Sequence, residues 1–242
     1  VVEDRLIGRE FSLLTIVSGE HFVSLPVAQD YKRALDGDRG PNTGGMGTYS
    51  PAPFLTDAEL DQVGATILDP WLKGCAAEGI DFRGLIYPGV MLTASGPRVI
   101  EFNARFGDPE TQVYLPRLEN DLLELLEACV DGTLDRHQLR WSDHAAVCVV
   151  AASAGYPASS SKGQPIRGLD LVAQESGVKV FHAGTAQRGE EVVTNGGRVL
   201  GITAWAPGLS AARDKAYAAI QRIDFEGMQY RRDIAAQALS ST

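Results

Sequence analysis

From Gln29 to Pro53 the chain crowds Gly, Pro, Asp and Asn so densely that neither a helical nor a strand period can be traced through it. A stretch this long without periodicity interrupts whatever fold contains it, and such loops inside compact domains are usually functional. On its N-terminal side two strand-like runs, Glu10 to Val17 and His21 to Ala28, flank a Ser18-Gly19 turn and predict a hairpin. On its C-terminal side Thr56 and Glu59 make a capping-box pattern, with Leu60, Val63, Ile67, Trp71 and Cys75 following at helical spacing. Two strands, Gly84 to Thr93 and Arg98 to Asn103, join at Ser95-Gly96-Pro97. A Leu-rich helix from about Asn120 to Val130 then stops at Gly132.

Beyond about Asp135 the texture changes to short β-like runs between Gly-rich turns: Val147 to Ala152, Val178 to Phe181, Glu191 to Thr194 and Arg198 to Ala204. Asn195-Gly196-Gly197 reads as a hairpin turn, because positive φ costs little there. An Ala-rich helix starts near Ser210. The pattern predicts two α+β units, residues 1–135 and 136–242.

Composition narrows the function. With 31 acidic against 22 basic side chains the net charge is −9, which argues against broad binding to nucleic-acid phosphates. At 44% hydrophobic residues the chain can bury a core, and its longest apolar or small run, Ala145 to Ala154, is too short for a membrane span. Three widely spaced cysteines, Cys75, Cys129 and Cys148, form neither a disulfide framework nor a metal spacing, and a reducing, cytoplasmic setting is expected. The opening VVEDRLIGREFSLLTIV lacks the basic start and cleavage site of a signal segment. It also lacks an initiator Met, so further sequence is expected upstream.

Chemistry concentrates in three places. In Val99 to Thr111, a strand carrying Glu101 and Asn103 turns both side chains to one face, and Arg105 joins them if the extension continues. A carboxylate and an amide oxygen, completed by phosphate oxygens, suit Mg²⁺, and Arg105 could neutralise a phosphate or acyl phosphate. The alternative is a half-buried strand with a satisfied polar face. In Asp30 to Pro51, four of the eight residues Gly40 to Gly47 are glycine, which would let backbone N–H groups approach a small anion. No Walker lysine follows, so a plain surface turn remains the competing reading. Val1 to Glu10 mixes charges around a turn, as a solvated rim does. His182 sits on a strand end as a hydrogen-bonded core residue, and Ser159-Ser160-Ser161 lacks the context of a nucleophile elbow.

The strings VVEDRLIGREFS, QDYKRALDGDRGPNTGGMGTYSPAP, RGLIYPGVML and VIEFNARFGDPETQ, followed by GYPASSSKG, KVFHAGT and VVTNGGRVLGITA, resemble the glycinamide ribonucleotide synthetase (phosphoribosylamine–glycine ligase) family of the ATP-grasp superfamily. The resemblance implies the C-terminal half of an ATP-grasp core followed by a small β-rich domain. It also implies that an N-terminal domain and a phosphate-covering flap, supplied in cis or by a partner, are needed. The implied reaction joins glycine to 5-phosphoribosylamine with ATP going to ADP and phosphate, as part of purine synthesis. By the same resemblance Glu101 and Asn103 hold Mg²⁺ or Mn²⁺, and Arg105 contacts the transferred phosphate. Asp30, Lys32 and Asn42 with Thr43, Gly44 and Gly45 border the glycine and phosphoribosylamine pocket, with Asp108 and Glu110 beside them. Glu3, Asp4, Arg5 and Leu6 read the adenine edge through their backbone, and Glu10 binds the ribose hydroxyls. Many ATP-grasp enzymes place another metal carboxylate on the preceding strand, but Leu85 to Thr93 carries none. Two other readings stay open: another ATP-grasp carboxylate–amine ligase, and a non-catalytic binding module that keeps the fold.

Overall fold

The computed structural model of the chain describes residues 2–240. In chain order, β1 (Gly8–Ser12), β2 (Thr15–Ser18) and β3 (His21–Ser24) lead into β4 (Gln29–Asp30), β5 (Arg33–Leu35), β6 (Arg39–Asn42) and β7 (Gly47–Ser50). Helix α1 (Asp57–Val63), a π-helical turn (Gly64–Leu68) and α2 (Asp69–Ala77) precede a hairpin of β8 (Arg83–Thr93) and β9 (Gly96–Asn103). Then come α3 (Thr111–Tyr114), α4 (Leu122–Asp131), β10 (His144–Ala152), α5 (Leu169–Ala173) and β11 (Val178–His182). The chain closes with β12 (Thr185–Arg188), β13 (Glu191–Thr194), β14 (Arg198–Pro207), α6 (Leu209–Ile220) and α7 (Ala236–Ser240).

These elements form two compact units. The first takes the residues up to Gln29, Ala52–Gly107 and Leu118–Ser142; the second takes Asp30–Pro51, Asp108–Arg117 and Asp143 onward. The sequence-based division after residue 135 therefore falls short by seven residues, and it misplaces two segments. Both have a physical tie to the second unit. Strand β7 pairs with β10 from Ser50↔Ala146 to Gly47↔Val149. Buried Arg117 donates from Nε to the His144 carbonyl at 2.7 Å and from Nη1 to Ser50 Oγ at 2.8 Å.

In the first unit β8 is the central strand. β1 and β2 run along one edge of it in a single continuous register, Ser12↔Gly89 and then Thr15↔Ile86, and β9 pairs along the other edge. The predicted run from Glu10 to Val17 is thus one line of backbone broken at Leu13-Leu14, where both side chains are buried. The hairpin turns at Gly19 as predicted, in the left-handed region at φ +61°. The capping box forms, with Thr56 Oγ1 accepting from the Glu59 N–H and Glu59 Oε2 accepting from the Thr56 N–H. The predicted single helix beyond it is interrupted by the π-helical turn. Helix α4 begins at the Asp121 cap and ends at Gly132 in a left-handed conformation, as expected.

In the second unit the sheet runs β11-β14-β10-β7, with β4 at the β7 end. Strand β10 is buried on both faces from Ala145 to Ala152, which explains its unbroken apolar sequence. Helix α6 packs on β10 and β14. Its Ala212, Ala216, Ala219 and Ile220 are fully buried, at the spacing of one helical face. Two predictions fail here. The stretch from Gln29 to Pro53, read as a loop, contains β4 to β7. These pairs are too short to show alternation, and β5–β6 turns through Gly37 and Asp38 at positive φ. Asn195-Gly196-Gly197 does not make a hairpin of its flanking strands: β13 pairs with β12, while β14 pairs with β10 and β11. Gly184 crosses Gly196 so closely that a Cβ on Gly184 would lie 2.6 Å from the Gly196 Cα, and this crossing diverts the chain.

No helix among the described residues is long and apolar enough to cross a membrane.

Candidate functional site

In the first unit the strand register assembles one polar face. Cross-strand partners share a face, so Glu10↔Met91, Ser12↔Gly89, Gly89↔Glu101 and Tyr87↔Asn103 set Glu10, Ser12, Tyr87, Glu101 and Asn103 on the same side. Strand spacing puts the Glu10 and Glu101 backbones about 12 Å apart, with β8 between them. Ser12 Oγ and Tyr87 OH hydrogen-bond at 2.6 Å and close the buried part of this face. Opposite Glu101, Gly89 offers no side chain, and a Cβ there would lie 3.5 Å from Glu101 Cγ. The opposite side of β9 carries Phe102, which meets Trp71 of α2 at 6.3 Å between ring centroids.

The predicted triplet converges. Asn103 Nδ2 donates to Glu101 Oε1 at 3.1 Å, and Arg105 Nη2 donates to Asn103 Oδ1 at 3.3 Å. Glu101 and Arg105 are exposed and Asn103 is half-buried. Turning the Asn103 amide about its last torsion would set Oδ1 beside the carboxylate. Two hard oxygen donors then stand together, a set that fits Mg²⁺ when phosphate and water oxygens supply the rest. Among the described residues no three His, Cys, Asp or Glu side chains form a complete metal cluster, so these two donors alone make an incomplete shell. Glu3 to Leu6 are irregular, largely exposed backbone. Two clefts of the first unit, about 470 and 720 Å³, lie elsewhere: one between Gly19-Glu20 and α2, the other between β3, α1 and Trp141. None of the polar-face carboxylates lines either.

In the second unit the glycine-rich segment is held by its own chain. The Thr43 N–H donates to the Lys32 carbonyl at 2.7 Å, and the Met46 N–H donates to the Tyr31 carbonyl at 2.8 Å. The Gly44 N–H donates to Tyr156 OH at 2.9 Å and the Gly45 N–H to Thr43 Oγ1 at 3.0 Å. These four N–H groups do not form the expected anion cradle. The glycines are required by close approach instead. At Gly45, φ is +113°, and a Cβ would lie 2.6 Å from Pro109 Cδ and 2.7 Å from Asp30 Oδ1. The segment therefore brings Asp30, Gly45 and the Asp108-Pro109 turn together. Asn42 is exposed on β6, Lys32 is half-buried and Glu110 is buried.

The residue that sequence reasoning misses is Arg198, at the start of β14. Its Nη1 donates to the Gly44 carbonyl at 2.8 Å and to the Asp108 carbonyl at 2.7 Å, and lies 3.3 Å from Asp108 Oδ1. The local pattern of Thr194-Asn195-Gly196-Gly197 signals only a turn, and the arginine directly after it is the better clue. His182 does hydrogen-bond, to Thr185 Oγ1 at 3.1 Å, but it is exposed rather than in the core. Burial pushes the Cys148 thiol up to about 12 and also raises Cys129, which disfavours the thiolate form at both.

The crystal structure of a phosphoribosylamine–glycine ligase from Thermotoga maritima matches the chain with a TM-score of 0.81 at 37% identity, over 96% of this chain and 57% of that one. The biotin carboxylase domain of the Hydrogenobacter thermophilus 2-oxoglutarate carboxylase, crystallised with MgADP, shares the fold at 16% identity with a TM-score of 0.64, over 92% of this chain and 47% of that one. The architecture is that of the ATP-grasp class. Family models of the phosphoribosylglycinamide synthetase ATP-grasp (A) domain and C domain match residues 1–111 and 146–237. The chain belongs to the phosphoribosylglycinamide synthetase family. Phosphoribosylamine–glycine ligases of Streptomyces coelicolor and Caldanaerobacter subterraneus are 52% and 47% identical to it over 98% of its length. The chain spans 58% and 56% of those relatives.

Proposed function

We propose that this chain serves the ATP-dependent ligation of glycine to 5-phosphoribosylamine, giving glycinamide ribonucleotide, ADP and phosphate in purine synthesis. The reading rests above all on one observation: Glu10, Glu101 and Asn103 occupy a single sheet face, and Arg105, just beyond the end of β9, reaches that face through its bond to Asn103 Oδ1. The glycine carboxylate takes the terminal phosphoryl group of ATP, and the amine of phosphoribosylamine then attacks the acyl carbon, loses a proton and expels phosphate. Both steps depend on positioning and charge stabilisation more than on a protein nucleophile.

In this reading the exposed backbone of Glu3, Asp4, Arg5 and Leu6 meets the adenine edge, and Glu10 accepts from the ribose hydroxyls. Glu101 and Asn103 hold Mg²⁺, or Mn²⁺ in its place. The ion neutralises phosphate charge when bound. Arg105, anchored through Asn103, donates to the transferred phosphoryl oxygens. Asp30, Lys32, Asn42, Thr43, Gly44, Gly45, Asp108 and Glu110 serve glycine and phosphoribosylamine. The chain spans 58% and 56% of the length of those relatives, and turnover is proposed to need the remaining length, in cis or from a partner. A cytoplasmic setting suits the three unpaired cysteines.

The test is ADP release with Mg·ATP, omitting glycine and phosphoribosylamine in turn. It is run with the chain alone and with the chain joined to the unmatched segment of the Streptomyces coelicolor relative. Release that needs both substrates supports the ligase. Release with a different carboxylate and amine makes it another ligase of the class. Tight Mg·ATP binding by the joined protein without any release makes it a binding module.

A further inference from the structure

We propose that Arg198 and Tyr156 are positioning residues that hold the Gly44 peptide, and through it the Asp30–Gly45–Asp108 cluster, in the arrangement offered to the acceptor substrates. This rests on the ligase reading for the identity of those substrates.

Both polar groups of Gly44 are taken by side chains distant in sequence. Its N–H donates to Tyr156 OH at 2.9 Å, and its carbonyl accepts from Arg198 Nη1 at 2.8 Å. The same nitrogen donates to the Asp108 carbonyl at 2.7 Å, so a single guanidinium ties the glycine-rich segment to the Asp108 turn. Gln112 Nε2 donates to Asp108 Oδ1 at 3.2 Å and steadies the carboxylate from the other side. The Arg198 side chain is 23% exposed, so its charge-assisted bonds are only partly weakened by water. A Cβ on Gly44 would lie 3.0 Å from Arg198 Cζ, and one on Gly197 would lie 2.3 Å from the Tyr156 ring. Glycine at both positions is therefore what admits the two gripping side chains.

The grip is itself braced. Gln229 Nε2 donates to the Tyr156 carbonyl at 3.0 Å and to the Ser153 carbonyl at 2.9 Å. Ser153 Oγ donates to the Gly196 carbonyl at 2.9 Å, and its N–H donates to the Gly197 carbonyl at 2.8 Å. The following β14 residues, Val199 and Leu200, are fully buried in the core. Arg198 instead ends on two carbonyls beside the cluster. That placement serves orientation rather than packing.

Two readouts test this on Arg198→Ala, Arg198→Lys, Tyr156→Phe and the Ala/Phe double variant. The first is hydrogen exchange over 42–47 and 106–110, which needs no turnover. Faster exchange confined to those segments, with the β10 and β14 core unchanged, is expected of Arg198→Ala. The second uses the joined protein described above. For Arg198→Ala, kcat/KM for glycine and phosphoribosylamine should fall on the order of 10- to 100-fold, as misplacement away from the reacting atoms can cost. The KM for Mg·ATP should stay within about twofold. Arg198→Lys should recover part of the loss, because it keeps the charge but not the planar fork. The double variant should lose less than the product of the single losses, because both side chains act on one peptide. Unchanged exchange over 42–47 overturns the proposal, as does an equal loss for all three substrates accompanied by core opening. If the unsubstituted joined protein shows no turnover, the ligase reading fails, and the exchange result alone decides whether the grip exists.

Discussion

Arg231 and Asp233 form a two-pronged ion pair, Nε to Oδ1 at 2.7 Å and Nη2 to Oδ2 at 2.6 Å, with no part of the arginine side chain exposed. The remaining Nη1 donates to Asp38 Oδ1 at 2.8 Å and to the Arg33 carbonyl at 3.1 Å. The guanidinium also lies 4.7 Å from the centre of the Tyr31 ring. Asp233 in turn accepts from the Gly37 N–H at 2.8 Å. The C-terminal segment of the second unit thereby holds the β5–β6 hairpin that leads into the glycine-rich segment.

Arg231→Ala should destabilise the protein by about 3 kcal/mol, the low end for breaking a buried pair, because Asp233 keeps some access to water. Urea unfolding measures it. A loss under about 1 kcal/mol would mean that the hairpin is held by other contacts.

The same pair sets an acid limit. Burial alone raises the Asp233 carboxyl, but the bonds from Arg231 and the Gly37 N–H outweigh it and hold the pKa below the ordinary value. A depressed folded-state pKa contributes stability in full above the unfolded value, about 3.9, and loses it as pH falls through the folded value. Stability measured from pH 6 downward should therefore drop below about pH 4, and Asp233→Asn should flatten that drop.

Glu101→Ala should weaken Mg·ATP binding by at least about tenfold, ~1.4 kcal/mol, and leave binding in EDTA unchanged. Titration calorimetry in both buffers checks it. The side chain is exposed, so the melting temperature should hold. A variant that binds Mg·ATP as tightly as the unsubstituted protein would remove Glu101 from the metal site.

Asn42→Ala and Gly45→Ala should separate function from folding within one segment. Asn42 is exposed, and its loss should lower turnover with the melting temperature nearly unchanged. Gly45→Ala meets both a positive φ and contacts under 3 Å, and should cost about 1–3 kcal/mol of stability. Thermal unfolding beside turnover decides.

Alkylation of the native protein at pH 8 should label Cys75 and spare Cys148, which is fully buried and, at a pKa of about 12, almost wholly protonated. Mass spectrometry after brief iodoacetamide treatment checks it. Early labelling of Cys148 would mean that β10 opens readily.

Alternation along a strand is a local property, and by itself it places Glu101 and Asn103 side by side; Arg105 lies past the end of β9 and joins them through a side-chain bond to Asn103 instead. The Thr56 cap, the Gly19 turn and the Gly132 stop are local in the same way, since each depends on neighbours within a few residues. The resemblance of the motif strings to a known family likewise needs only the order of residues. Pairing partners do not follow from order. Glu10 shares a face with Glu101 only because β8 lies between β1 and β9, and the stretch from Gln29 to Pro53 becomes strand only because β10 and its own hairpin supply hydrogen-bond partners. Arg198 reaches Gly44 across 154 residues of sequence, and no local pattern announces such a bond. Backbone preference and side-chain period act over a turn or two and are written in the sequence. Which distant carbonyl an arginine finds is decided only when the chain has closed on itself.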